Sequence, residues 1–307
     1  MACCAYLTAC IMELAMADVP TAAGPLHRDG AFLSFTHRDH PGNRIGYRFH
    51  EHEPYRFGEV PPVADPPAAG AAKRREAEFA ARPGVLVNRI EIRAAGWCPQ
   101  DWTYYIVPVA DGFELLWVID THDTGLNELY AVQQCFRLGG ATNSEWRRAV
   151  AETPAFSEYD LWAAQEHQGA KLTSLSYVHA GGAWIAMPAV RGTVGYRTPL
   201  GVYWDKTRAG GDPSAAPLEP YNPDMSEAAL DCGLVARTYP AGEWVCGLLW
   251  EQTTHITNHH PADCLHAVVN IGPLPPRGKR AIRGKIYWLR GGLEELYESW
   301  QRDFPKR

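Results

Sequence analysis

Two runs, Val245-Cys-Gly-Leu-Leu-Trp-Glu-Gln-Thr-Thr254 and Leu265-His-Ala-Val-Val-Asn-Ile271, decide the fold. Both are rich in β-branched and aromatic residues and neither contains proline, so they read as strand, loop, strand. Alternation along a strand puts Leu248 and Trp250 on one face and Glu251, Thr253 and His255 on the other. In the second run Leu265, Ala267, Val269 and Ile271 oppose His266 and Asn270. If the two strands are neighbours, Glu251, His255, His266 and Asn270 share one surface, with cross-strand groups roughly 5 Å apart. The connection adds His259, His260 and Asp263 above it, so four of the chain's twelve histidines fall within Glu251–His266.

Such a cluster suits two chemistries. Imidazole titrates near neutrality and a carboxylate can orient it, which makes His260 and His255 a base and acid pair, oriented by Asp263 or Glu251. Neutral imidazole also binds transition metals, and His255, His259 and His266 are the set for that version. A helical two-on-one-turn arrangement of these histidines is opposed by Pro261 and the β-rich flanks. The plain structural alternative is that the histidines bond the backbone of a loop, as Asn258 and Asp263 are suited to do.

Outward from this stretch the pattern stays β. Upstream, Val85–Arg93, Trp102–Val109, Phe113–His122 and Glu128–Leu138 are strands separated by turns at Ala110-Asp111-Gly112 and Asp123-Thr124-Gly125, an antiparallel meander. In the last of these, Glu128, Tyr130, Gln134 and Phe136 form one row, while Gln133 and Arg137 form the row behind it. A carboxylate, a phenol and an amide in line, with Arg137 and His122 near the hairpin, suit a polyhydroxylated ligand. Phe32–Phe35 and Ile45–Phe49 are strands, and His50-Glu-His-Glu53 after them reads as a solvated loop edge. Leu172–Val178, Ala183–Met187, Gly201–Trp204, Leu234–Tyr239 and Arg280–Leu289 are further strands, and Ala209–Glu227 is a Gly/Pro/Ser/Asp-rich loop of the kind that closes over a ligand. Short helices are expected over 145–152 and 157–169, and Leu293, Leu296, Trp300 and Phe304 mark an amphipathic C-terminal helix. The expected fold is therefore mainly β: a large antiparallel β-sandwich, in its enlarged form a supersandwich, with short peripheral helices and a C-terminal helix. Residues 18–307 form a single domain, preceded by an apolar extension over 1–17. The Pro/Ala-rich segment 61–83 reads as a surface excursion, part extended and part helical turn.

Composition narrows the function. The 307 residues are 46% hydrophobic and 21% charged, an ordinary globular balance. The net charge of -6 has no basic block behind it, which argues against a nucleic-acid partner. No uncharged apolar run reaches about 18 residues, so no spanning helix is expected. Eleven tryptophans and fourteen tyrosines exceed what a core needs and offer flat faces for sugar rings, Trp250 among them. The eight cysteines are scattered without a CxxC, as in a reducing compartment. Ala15-Met16-Ala17 has the form of a cleavage site, yet no positive charge precedes it and Glu13 interrupts the apolar run. The expectation is a cytoplasmic protein, with export left open and a homo-oligomer compatible.

Leu129–Leu138, Glu152–Trp162, His259–His266 and Arg283–Trp288 resemble segments of bacterial β-sandwich proteins without an assigned activity. The layout is also loosely similar to the sandwiches of sugar mutarotases and several polysaccharide lyases, without a diagnostic motif, so no catalytic residue is carried over. The resulting expectation is a carbohydrate-active enzyme, a lyase or glycoside hydrolase, acting on an oligo- or polysaccharide by proton transfer between histidine and carboxylate. Its catalytic residues would be His260, His255, Asp263 and Glu251, and its binding residues His259, His266, Asn270, Trp250, Glu128, Tyr130, Gln134, Arg137 and His122. It needs no cofactor; the two alternatives are a divalent-metal enzyme and a non-catalytic sugar-binding or structural sandwich.

Overall fold

The computed structural model of the chain describes residues 18–21, 24–29, 32–36, 44–48, 55–57, 69–93, 98–126, 129–138, 176–187, 193–200, 224–238, 243–259 and 264–305. These hold seventeen strands and two helices. The first strands are β1 (Asp18–Thr21), β2 (Gly24–Asp29), β3 (Phe32–Thr36), β4 (Arg44–Arg48) and β5 (Tyr55–Phe57), followed by helix α1 (Ala69–Ala80). Next come β6 (Leu86–Ile92), β7 (Gln100–Val109), β8 (Gly112–Thr121) and β9 (Leu129–Leu138); β6 to β8 pair in succession as expected, whereas β9 leaves that meander and pairs with β4, β5 and strand Cys264–Asn270 instead. Then come β10 (Ser176–Ala180), β11 (Ala183–Ala186), β12 (Thr193–Arg197), β13 (Asp224–Thr238), β14 (Trp244–Trp250), β15 (Thr253–His259), β16 (Cys264–Asn270), β17 (Lys279–Arg290) and helix α2 (Leu293–Asp303).

The strands form two sheets. The first runs β1, β2, β3, β4, β9, β16, β15, β12, with β5 beside β4 along the same side of β9. The second runs β6, β7, β8, β17, β14, β13, β10, β11. β13 serves both: its start pairs in parallel with β12 and its end pairs antiparallel with β10 and β14. Apart from that parallel contact, the pairings among the described strands are antiparallel.

The sheets pack face to face over an aromatic core. Phe35 of the first sheet meets Phe113 and Trp288 of the second edge-on, with centroids 4.6 and 5.1 Å apart. Trp102, Tyr104, Trp117 and Trp250 line the same core with Val132, Phe136, Ile256, Leu265, Ala267 and Val269 facing them. The second sheet is apolar on its outer side too. There α1 lays Ala72 and Phe79 against Tyr105, Val107, Leu116, Val118 and Ala281, and α2 lays Leu296 and Trp300 against Leu234, Ala236, Val245, Leu249 and Tyr287. Two-sided burial explains why β14, Trp244–Trp250, is buried at every position and shows no polar alternation.

Three local expectations are corrected. The segment 61–83 holds a twelve-residue helix, not a turn, because its Ala, Lys, Arg and Glu run favours helix and its apolar side finds the second sheet. The run Val245–Thr254 is two strands, broken at Glu251-Gln252, where the chain passes from the second sheet to the first. β13 begins at Asp224, inside the stretch read as loop. The expected strand at 201–204 and helices at 145–152 and 157–169 lie outside the described residues. No helix among the described residues is long and apolar enough to cross a membrane.

Candidate functional site

The side of the first sheet turned away from the core carries a polar array built by strand register. In β15 Ile256 joins the core, so alternation turns His255 and Thr257 outward. In β16 Leu265, Ala267 and Val269 face inward and His266, Val268 and Asn270 outward. In β9 Val132 and Phe136 face the core, which leaves Gln133 and Cys135 outward. Pairing then aligns Arg197, His255, Val268 and Gln133 across four strands. The adjacent row runs Gly195, Thr257, His266, Cys135 and Arg48, and the next aligns Thr193, His259, Cys264, Arg137 and Gly46. His255 and His266 are therefore diagonal neighbours on one face, roughly 7–8 Å apart by general sheet geometry with their Cβ atoms somewhat closer.

This face is buried without being apolar. His255, His266 and Gln133 are each 1% exposed, and Thr257 and Asn270 are nearly as closed. Thr257 Oγ1 lies 3.0 Å from His266 Nδ1 and fixes that ring. Thr254 Oγ1 lies 3.1 Å from His255 Nδ1 and donates to the Val268 carbonyl oxygen. Asn270 accepts a bond from the Gly272 N–H through its side-chain oxygen, which ties its amide to the following turn. Arg197, at the end of the first row, is exposed.

The other candidates of the sequence reading are dispersed. Gln134 and Trp250 sit between the sheets, where Tyr47 donates to Gln134 Oε1 at 2.8 Å and Trp250 Nε1 donates to the Tyr47 hydroxyl at 2.9 Å. Burial pushes the Tyr47 and Tyr104 phenols well above their ordinary range, so both stay neutral in this core network. Of the two rows of β9, the one expected to meet ligand faces the core at Gln134 and Phe136, and the row behind it faces out. Glu251 lies on the outer side of the second sheet, its carboxylate bonded to Arg75 of α1 at 2.7 Å and to the Arg283 N–H at 3.1 Å, so it does not orient His255. His122 stands at the end of β8 in contact with Asp101 at 3.0 Å, with both side chains more than two-fifths exposed. His259, Tyr130 and Arg137 hold strand positions only, and His260, Asp263 and Glu128 lie outside the described residues.

Thr257, Cys135 and Arg197 join the face without having been singled out in the sequence. Thr257 carried a signal, since it alternates with His255 and His259; the others become visible only through cross-strand register. A second histidine–carboxylate pair was also missed: His179 Nδ1 is 2.8 Å from Asp231 Oδ2, and the ring stacks on Tyr297 at 4.2 Å. Asp231 also accepts the Gly181 and Gly182 N–H groups. The Gly182 bond, more than the nearby His179, holds the Asp231 carboxyl below its usual range. With both oxygens occupied by the β10–β11 turn, this pair clamps a hairpin. Among the described residues no three His, Cys, Asp or Glu side chains group as a metal requires, and His259 of the metal version has no described side chain.

No family model matches the chain. No curated protein matches it either. Two solved structures share a distant likeness. One is a putative aldose 1-epimerase from Escherichia coli K12, with a TM-score of 0.37 and 9% identity over 67% of this chain, which spans 65% of that protein's length. The other is the Slr1438 protein from Synechocystis sp. PCC 6803, with a TM-score of 0.35 and 8% identity over 83% of this chain and 72% of that one.

Proposed function

We propose that the chain is a carbohydrate-active enzyme that breaks or rearranges a glycoside by proton transfer, and that its site is the outer face of the first sheet. One observation carries the reading: the face is buried yet holds two imidazoles, an amide and a hydroxyl, whereas the outer face of the second sheet is covered through apolar contacts. A structural surface at this place would favour Val, Leu and Ile, as the helix-covered side of the second sheet does. Imidazole, amide and hydroxyl groups gathered on one closed face are the set that a polyhydroxylated ligand would meet.

The chemistry follows from the pair of rings. His266, with Nδ1 held by Thr257, works through Nε2 and keeps a fixed orientation. His255 stands diagonally across from it, so one ring takes a proton from the sugar while the other delivers one to the departing or ring oxygen. Of the two carboxylate orienters expected from sequence, Glu251 is engaged with Arg75 and Asp263 lies outside the described residues, so the orienting group in this reading is the Thr257 hydroxyl. Gln133 offers both an acceptor and donors to sugar hydroxyls.

The test is turnover on a panel of oligo- and polysaccharides, read as reducing ends, unsaturated products and optical rotation. His255→Gln and His266→Gln should each lower kcat by about 10²–10⁴-fold on the responsive sugar with the fold intact by circular dichroism. Full turnover in both variants would remove the site. Sugar binding without turnover on any member of the panel would make the protein a binding module.

A further inference from the structure

We propose that β11 is an interface strand: two copies of this chain join their second sheets by antiparallel pairing of Ala183–Ala186 with itself, about a two-fold axis at Ile185. Among the described residues β11 pairs with β10 alone and forms one edge of the second sheet. The opposite edge, β6, is protected by charge. Arg89 and Glu91 stand exposed along it, and charges on an edge discourage pairing with a second chain. β11 reads Ala183-Trp-Ile-Ala186, without a charge or a proline, and Ala183, Ile185 and Ala186 are exposed. Ile185 stands opposite the core residue Val178, so it belongs to the core-facing side of the sheet, yet it is 38% exposed. At this edge the core-facing side runs past the cover of the first sheet.

Register fixes which backbone groups look outward. Met187 donates its N–H to the Ser176 carbonyl oxygen, which makes these two a hydrogen-bonded pair one step beyond Tyr177 and Ala186. Such pairs alternate along an antiparallel ladder, so Val178–Ile185 and Ala180–Ala183 are bonded pairs as well. The N–H and C=O groups of Trp184 and Ala186 then point away from β10. With a two-fold axis at Ile185, Trp184 of one copy faces Ala186 of the other, and each such pair exchanges two hydrogen bonds while Ile185 meets Ile185 of the partner subunit. The edge is also held ready for this. Asp231 accepts the Gly181 and Gly182 N–H groups, and its partner His179 stacks on Tyr297 of α2, so the hairpin is fixed before a second copy arrives. A charged strand finds no counter-charge on this edge, whereas a second copy matches it in polarity, spacing and symmetry. A strand of four residues makes a contact small beside the roughly 1,200–2,000 Å² of a stable interface, so the dimer is reversible and depends on concentration.

Sedimentation equilibrium of the whole chain across the micromolar range tests this, and a monomer–dimer equilibrium is the expected result. Ile185→Lys and Ile185→Glu each set like charges face to face at the axis and should raise the dissociation constant by about 10-fold or more. An equimolar mixture of the two variants should recover the dimer, because the opposite charges then meet. Ala186→Pro removes an N–H that points to the partner and not to β10, so it should weaken the dimer with the fold intact by circular dichroism. Leu200→Lys, at the other large apolar side chain exposed among the described residues, should leave the equilibrium unchanged. A wild type that stays monomeric throughout overturns the proposal. So does a dimer that withstands both Ile185→Lys and Ala186→Pro, or one that the mixture does not restore, since its axis then lies elsewhere. Should the charged variants fail to fold, the response of Ala186→Pro decides alone.

Discussion

Thr257 Oγ1 at 3.0 Å from His266 Nδ1 is the contact on which the proposed chemistry turns. Thr257→Val keeps the shape of the side chain and removes its hydroxyl, so the ring loses its orienting partner. We expect kcat to fall by about 10-fold, less than in His266→Gln, with KM little changed, measured on the responsive sugar of the panel. Asp231 gives a residue-scale prediction about stability. Its folded pKa lies below the ordinary carboxylate value of about 3.9, so its contribution is complete above that value and is lost as pH falls through the lower folded value. The melting temperature of Asp231→Asn should therefore lie below wild type at neutral pH, and the two should converge under acid conditions below about pH 4. A gap that persists unchanged at low pH would show that the carboxylate charge is not what clamps the hairpin.

At the scale of elements, the second sheet is a rigid backing held by its helices and by close packing. Lys285 is nearly closed from solvent and joins Asp111 of the β7–β8 turn to Asp303 at the end of α2, with its ammonium 4.6 Å from the Tyr287 ring centroid. Lys285→Ala leaves two carboxylates facing each other, and urea unfolding should show a loss of about 3–5 kcal/mol. Gly284 admits the Trp250 ring: a Cβ there would stand 2.6 Å from two ring carbons and 2.8 Å from the Leu249 carbonyl oxygen. Gly284→Ala should cost about 1–3 kcal/mol in the same measurement and disturb the Trp250–Tyr47 bond beneath the site.

Elements also show what the sequence could and could not reveal. The β6–β8 meander was legible because β-branched and aromatic runs are separated by turn residues such as Asp111-Gly112, and α2 because Leu293, Leu296 and Trp300 recur at helical spacing; that β9 crosses to the other sheet was not, since the turn before it reads like the others. The break at Glu251-Gln252 was not, since neither residue is a glycine or proline and the apolar run before it continues into a threonine-rich strand. α1 was underestimated because the prolines of 61–83 lie before and after the helix rather than in it. The alternation of β9 defined two rows, but both mix polar and aromatic or sulfur-bearing groups, so nothing local said which would meet the core. That choice is made by Tyr47 and Trp250, far away in sequence, which supply the partners that bury Gln134.

For the whole molecule, the two sheets divide the work. The second is apolar on both sides, and its Lys279 and Lys285 are matched by carboxylates, as a structural support requires. The first is apolar only toward the core, and its buried outer face gathers His255, Thr257, His266 and Gln133 on strands without acidic residues. Because the central claim is one of place, histidine side-chain NMR during a titration with the responsive sugar of the panel tests it most directly. The imidazole signals of His255 and His266, assigned by His→Gln substitution, should shift together and saturate with the ligand, while His122 and His179 stay where they are. Shifts confined to His122 or His179, with His255 and His266 unmoved at saturating ligand, would contradict it.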